Sequence, residues 1–143
     1  MSALNLARPS RSALDYAVRG SIVALTLATG YIHFTLGGLL FLANAAGYVT
    51  LAVAMALPIA LASRYRWLIR PVLAGYAATT IVGWLIMGPR FELAYIAKGI
   101  ELALIALVLV EMFRYDGGPV AVARRFFGEV AHVARVVSRS ATG

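Results

Sequence analysis

The sequence predicts an all-α, polytopic membrane protein, with four transmembrane helices, both termini cytoplasmic, and a C-terminal amphipathic helix at the membrane surface. Three observations carry this. The chain is 62% hydrophobic and only 13% charged, against roughly 25% charged in an ordinary soluble domain. Its mean hydropathy is +0.84, more apolar surface than a fold of 143 residues could hide from water, since small folds leave a large share of their area exposed. Its uncharged stretches are also long: no Asp, Glu, Lys or Arg occurs between Arg19 and Arg64, or between Arg70 and Arg90. Such a chain is not a soluble enzyme, an acidic solvating tail or a disordered segment. With no cysteine, it is not a disulfide scaffold and has neither a thiolate metal site nor a Cys nucleophile.

A membrane span takes about 20 residues, so the first uncharged stretch holds two helices and a tight turn. Aromatic residues, a histidine and paired glycines place that turn within Tyr31–Gly38. The spacing predicts helices over 15–33 and 37–61, with Pro58 near the end of the second. A third is predicted over 69–87, where Pro71 suits a first turn and Gly88-Pro89 stops the other end. The fourth covers 91–113 and is followed by the breaker Gly117-Gly118-Pro119. The opening apolar stretch reads as a span and not as a signal peptide, because it continues without a polar cleavage region. The expected organisation is a cytoplasmic segment 1–14, a transmembrane domain 15–113 and a cytoplasmic tail 114–143.

Charge sets the orientation. Thirteen Lys and Arg oppose six Asp and Glu, a net charge of +7. The cations cluster at Arg8, Arg11 and Arg19, at Arg64, Arg66 and Arg70, and at Arg114, Arg124, Arg125, Arg135 and Arg139. The first predicted turn has none and the third only Arg90. That asymmetry predicts a bacterial inner membrane protein with both ends inside. In a soluble protein this excess would suggest nucleic acid. Here each cluster flanks an apolar stretch, so no nucleic-acid partner is expected. The expected partners are the lipid bilayer and either other membrane subunits or further copies of the chain.

The tail is two-faced over 119–139. At about 100° per residue from Val120, Val122, Phe126, Val130, Val133 and Val137 fall within about 200–280°, whereas Arg124, Arg125, His132, Arg135 and Arg139 occupy about 0–140°. Arg124, Arg125, Phe126, Val130 and Arg135 are therefore expected to dock on an anionic leaflet or a partner subunit. Small residues recur at helical spacing as Ala52/Ala56/Ala60, Gly75/Thr79/Gly83 and Gly99/Ala103/Ala106. Close packing inside the bundle is expected of them.

Ionisable groups within spans are costly and point to function or to a named partner. Lys98 and Glu101, three residues apart, can pair on one helix face, and Glu101 comes near mid-bilayer. His33, Asn44, Tyr48, Trp84 and Tyr95 share the outer half with them, and Asn44 or Tyr48 is expected to bond the pair. The cluster is either a structural network that fixes helix register or a ligand or ion site. Glu111 is expected near the inner end, meeting water or Arg114. No nucleophile–base pair, phosphate loop or protease motif is legible, so no enzyme is expected. Two histidines at opposite membrane faces exclude bis-His haem ligation, and too few histidines remain for a metal site. No cofactor is predicted; a quinone, or a haem held by His33 with Met87 or Met55, is the alternative.

The segment Gly30-Tyr31-Ile32-His33, followed by Gly37-Gly38-Leu39-Leu40-Phe41-Leu42-Ala43-Asn44, resembles small uncharacterised four-span membrane proteins of high-GC bacteria. The resemblance covers the first two helices, agrees with four spans and implies no activity. The function expected is a small accessory or structural subunit of a larger membrane complex, without chemistry of its own. The alternative is a small oligomeric transporter, or a protein binding a quinone or ion through the outer polar cluster.

Overall fold

Residues 12–140, which the computed structural model describes, form five helices and no strand. These are α1 (Ala13–Leu36), α2 (Leu39–Ala56), α3 (Ala60–Met87), α4 (Glu92–Tyr115) and α5 (Pro119–Ser140). The expectation for Arg8 and Arg11 lies outside the described residues. By length and composition α2, α3 and α4 could cross a membrane. Helix α1 matches α4 in length at 24 residues, but its hydropathy is lowered by Thr26, Thr29 and His33. All three are buried inside the bundle.

Helix α1 starts where a reciprocal cap forms. The Ser12 hydroxyl accepts from the Asp15 amide at 3.3 Å and the Asp15 carboxylate accepts from the Ser12 amide at 2.8 Å, satisfying two otherwise orphaned donors. The hairpin to α2 turns at Gly37 and Gly38, whose φ of +66° and +78° requires residues without a Cβ. Helix α2 stops at Ala56, short of the predicted 61. Leu57 precedes Pro58 and is driven to ψ 124°, the extended region a following proline imposes.

Helix α3 corrects the sequence reading most. It begins at Ala60 instead of 69 and runs for 28 residues, with Pro71 inside it. Arg64, Arg66 and Trp67 thus lie on the helix and not in a loop. Arginine is a good helix former, and its long stem lets the charge reach water or a partner while the backbone stays helical. A cationic cluster is therefore no sign of a chain break.

Helix α1 packs on α2 and α4, and α3 packs on α4 and α2, so four helices close a bundle. Its core includes Ile22, Tyr48, Met55, Leu73, Leu104 and Val108. At the α1–α2 contact, a Cβ on Gly30 would lie 3.2 Å from the Tyr48 Cβ. On α4 the buried residues Ala94, Ala97, Glu101, Leu104, Val108 and Glu111 alternate in steps of three and four, the spacing of a helix–helix seam. Both glutamates are therefore carried into the core.

The small-residue faces behave differently from expectation. Ala52 is buried, but Ala56, Ala60, Gly75, Thr79, Gly99, Ala103 and Ala106 are exposed. A Cβ on Gly75, Gly83 or Gly99 would meet nothing within 4 Å. Leu73 and Ala77 occupy the inward face of α3 instead, because spacing along a helix does not say which side meets its neighbours. Helix α5 touches α3 and α4. Val122 is its one buried side chain, and Phe126, Phe127, Val130, Val133 and Val137 are exposed.

Candidate functional site

Two buried carboxylates on α4 organise the interior. Glu101 is fully buried. Its Oε1 accepts from the Tyr48 hydroxyl at 3.0 Å and the Thr29 hydroxyl at 3.1 Å, and its Oε2 accepts from Lys98 Nζ at 2.6 Å. All four bundle helices take part, because Tyr48 on α2 also bonds Thr80 of α3 at 2.9 Å. An ionised carboxylate satisfied this way is tolerated in a dry interior, where an unpaired one would cost several kcal/mol.

His33 stands beside this hub. Its Nδ1 lies 2.8 Å from the Thr29 carbonyl, and a carbonyl only accepts, so Nδ1 carries the proton. Nε2 is then directed towards Glu101, at 3.9 Å from Oε1. Tilted contacts with Phe41 and Tyr48, centroids 6.1 and 5.4 Å away, hold the ring.

Above the hub lies a cavity of about 400 Å³, within the range of small-molecule sites. Its walls are apolar, including Leu40, Phe41, Met87 and Phe91, and His33, Asn44, Thr80 and Lys98 supply polar atoms. Trp84 borders it, held by a bond from its indole N–H to the Pro89 carbonyl at 2.9 Å and by the Arg90 guanidinium stacked 4.2 Å from the ring centroid. Lys98 joins the two environments, touching Glu101 and lining the cavity.

The residues expected to cluster therefore divide. Lys98, Glu101, Tyr48 and His33 meet. Asn44 does not reach Glu101; its side-chain oxygen accepts from Tyr76 at 3.3 Å. Trp84 lines the cavity wall, and Tyr95 packs edge-on against it at 5.1 Å, half exposed. Met87 lines the cavity, as His33 does, whereas Met55 is buried in the core and does not line it. Among the described residues no three His, Asp or Glu side chains form a metal-ligand group.

Glu111 corrects a second expectation. It is buried and meets not Arg114 but two other arginines. Arg19 of α1 donates to Oε1 from Nε and Nη2 at 3.2 and 2.9 Å, and Arg70 of α3 donates to Oε2 at 2.9 Å. Arg70 also reaches both Asp116 oxygens, at 2.9 and 2.7 Å. Arg114 pairs with Asp15 at 2.7 Å.

Thr29, Thr80, Arg19, Arg70 and Asp116 are the participants that residue-by-residue reading missed. For the carboxylates a signal existed, since Glu101 and Glu111 keep the three-four rhythm of Leu104 and Val108. For Thr29 and Thr80 there was none, as a hydroxyl within a span usually bonds its own helix. No family model, curated protein or solved structure matches the chain.

Proposed function

We propose that the chain is a small multi-pass membrane protein that binds an amphiphilic molecule, with a quinone as the leading candidate, in the cavity above Glu101. The supporting observation is the cavity itself, an apolar space of about 400 Å³ whose polar groups converge at Lys98, His33 and Thr80. A ring carbonyl would accept from Lys98, and the apolar tail would lie along Leu36, Leu40 and Met87. Glu101 holds Lys98 Nζ at 2.6 Å and so positions the donor.

Helix α1 is the fourth span. Its length is about 36 Å at 1.5 Å per residue, against a hydrocarbon core of about 30 Å. Between Gly20 and Thr35 its exposed side chains, Leu27, Tyr31 and Phe34 among them, bear no charge, and its Thr29 and His33 face Glu101. Both termini are cytoplasmic by the basic clusters, in a bacterial inner membrane, and α5 lies at the inner surface with Phe126 and Val130 towards lipid. Single cysteines replacing Thr35, Arg64, Arg90 and Ser140 test this topology: inside labelling at Thr35 or outside labelling at Ser140 overturns it.

The ligand test uses Trp84 emission of the purified chain. A short-chain quinone should quench it saturably, Trp67→Phe should keep the response, and Lys98→Met should weaken it. Quenching equal to that of free tryptophan, without saturation, refutes the reading. A second reading, an accessory subunit, is favoured by the outward faces of Gly75/Thr79 and Gly99/Ala103/Ala106, which permit close helix approach. Stable co-elution of foreign membrane chains in gentle detergent supports it; a homo-oligomer alone speaks against it.

A further inference from the structure

A second cavity, of about 210 Å³, lies at the opposite end of the bundle from the ligand cavity. Helices α1, α3 and α5 and the α4 terminus all contribute to it. Its lining includes the guanidinium groups of Arg19, Arg64, Arg66, Arg70 and Arg125. Two carboxylates oppose these five cations: Asp116 on the wall and Glu111, held behind Arg19 and Arg70. Among the described residues, Arg64 and Arg125 add positive charge beyond what these two carboxylates offset, in a partly enclosed space.

The positions of these groups are built, not incidental. Arg70 is held by Glu111 and Asp116 and stacks 5.2 Å from the Tyr115 ring centroid. Arg66, only 5% exposed, donates to the Leu57 carbonyl at 3.1 Å and the Ser63 hydroxyl at 3.4 Å. Arg125 of α5 lies 4.2 Å over the Trp67 ring. Its carboxylate neighbour Glu129 is at 3.9 Å and more than half exposed, so that pair contributes little. Arg64 contacts the Tyr65 ring and, among the described residues, pairs with no carboxylate. Like charges this close repel strongly where water is partly excluded, and an anion entering the space relieves that repulsion.

We propose that this pocket binds a phosphate-bearing anion, either the headgroup of an anionic phospholipid or a soluble phosphate ester. The chemistry fits: planar guanidinium groups bind phosphate through paired N–H donors, and basic pockets between helices on the cytoplasmic side suit lipid headgroups. The volume equals about seven waters at roughly 30 Å³ each, room for a phosphate and part of its hydration shell. Because Arg125 belongs to α5 and the other four arginines to the bundle, the anion ties α5 to α1 and α3. This proposal is independent of the quinone reading, which concerns other residues at the other end.

The test uses the full chain in zwitterionic nanodiscs with Trp84→Phe, leaving Trp67 beside the pocket as the sole tryptophan. Phosphatidylglycerol is titrated within the bilayer; glycerol phosphate and inorganic phosphate are added from solution at constant ionic strength. A saturable change in Trp67 emission, with a rise in Tm, is expected for at least one of them. Phosphatidylglycerol acting alone identifies a lipid headgroup; glycerol phosphate or inorganic phosphate acting identifies a soluble anion. Arg64→Gln/Arg125→Gln, at two exposed positions, should weaken the apparent affinity at least tenfold. The Tm readout applies even where Arg125→Gln alters Trp67 emission directly. No saturable response to any of the three probes, or responses unchanged in the double variant, overturns the proposal.

Discussion

Replacing Lys98 and Glu101 separately and together tests the central hub most directly. Glu101→Leu leaves the Lys98 ammonium, 11% exposed, without its 2.6 Å partner, and removing one member of a buried pair costs about 3–5 kcal/mol. It also strips the Thr29 hydroxyl of its acceptor, for about 1–3 kcal/mol more; Tyr48 keeps Thr80. Lys98→Met leaves a buried carboxylate that still accepts from Thr29 and Tyr48, so its cost falls at the lower end, about 3 kcal/mol. In Lys98→Met/Glu101→Leu neither charge remains, and the residual loss is the orphaned hydroxyl, about 1–3 kcal/mol. The double variant should thus be more stable than Glu101→Leu by about 3–5 kcal/mol, a gain set by the orphaned ammonium. Equilibrium unfolding in mixed micelles measures this. A double variant no more stable than the worse single would refute the reasoning and mean that the two side chains sense different surroundings. In the same samples, the folded double variant should have lost saturable quinone quenching, which separates a ligand role from a purely structural one.

The two ion pairs at the Glu111 end of the bundle should differ in worth. Glu111→Gln, which weakens the hold on Arg19 and Arg70, should cost about 3 kcal/mol, whereas Arg114→Gln, at a pair 40% exposed on the arginine side, should cost under about 1 kcal/mol; urea or SDS titration ranks them, and equal losses contradict the burial argument. Gly30→Val should destabilise by about 1–3 kcal/mol through overpacking against Tyr48, while Gly75→Ala should leave Tm unchanged within a degree or two; a Tm loss at Gly75 would place that face inside a contact. Phe126→Asp/Val130→Asp should speed amide exchange over 123–140 in anionic nanodiscs without lowering the unfolding midpoint of the bundle. Exchange already fast in the unsubstituted chain would reject the surface-bound helix.

The sequence by itself determined the helical class, a turn within Tyr31–Gly38 that the structure narrows to Gly37-Gly38 by running α1 on to Leu36, the break at Gly88-Pro89, and the stop at Gly117-Gly118. Long apolar stretches and left-handed or proline-bound backbone are local properties, readable without a partner. It also determined the Lys98–Glu101 pair, because a separation of three residues places two side chains on one face whatever surrounds them. Only the tertiary structure decided what those groups meet. Arg19, Arg70 and Asp116 join Glu111 from sequence distances of 92, 41 and five residues, and no local spacing encodes which helix turns its face to which. The same limit explains the glycine faces of α3 and α4: a stripe of small residues defines a surface that permits close approach, and only the packing of the neighbouring helices decides whether that surface looks inward or out. The low hydropathy of α1 has the same cause. Its polar residues weaken it as an isolated span, and they acquire their purpose only where Thr29 and His33 face a carboxylate carried by another helix.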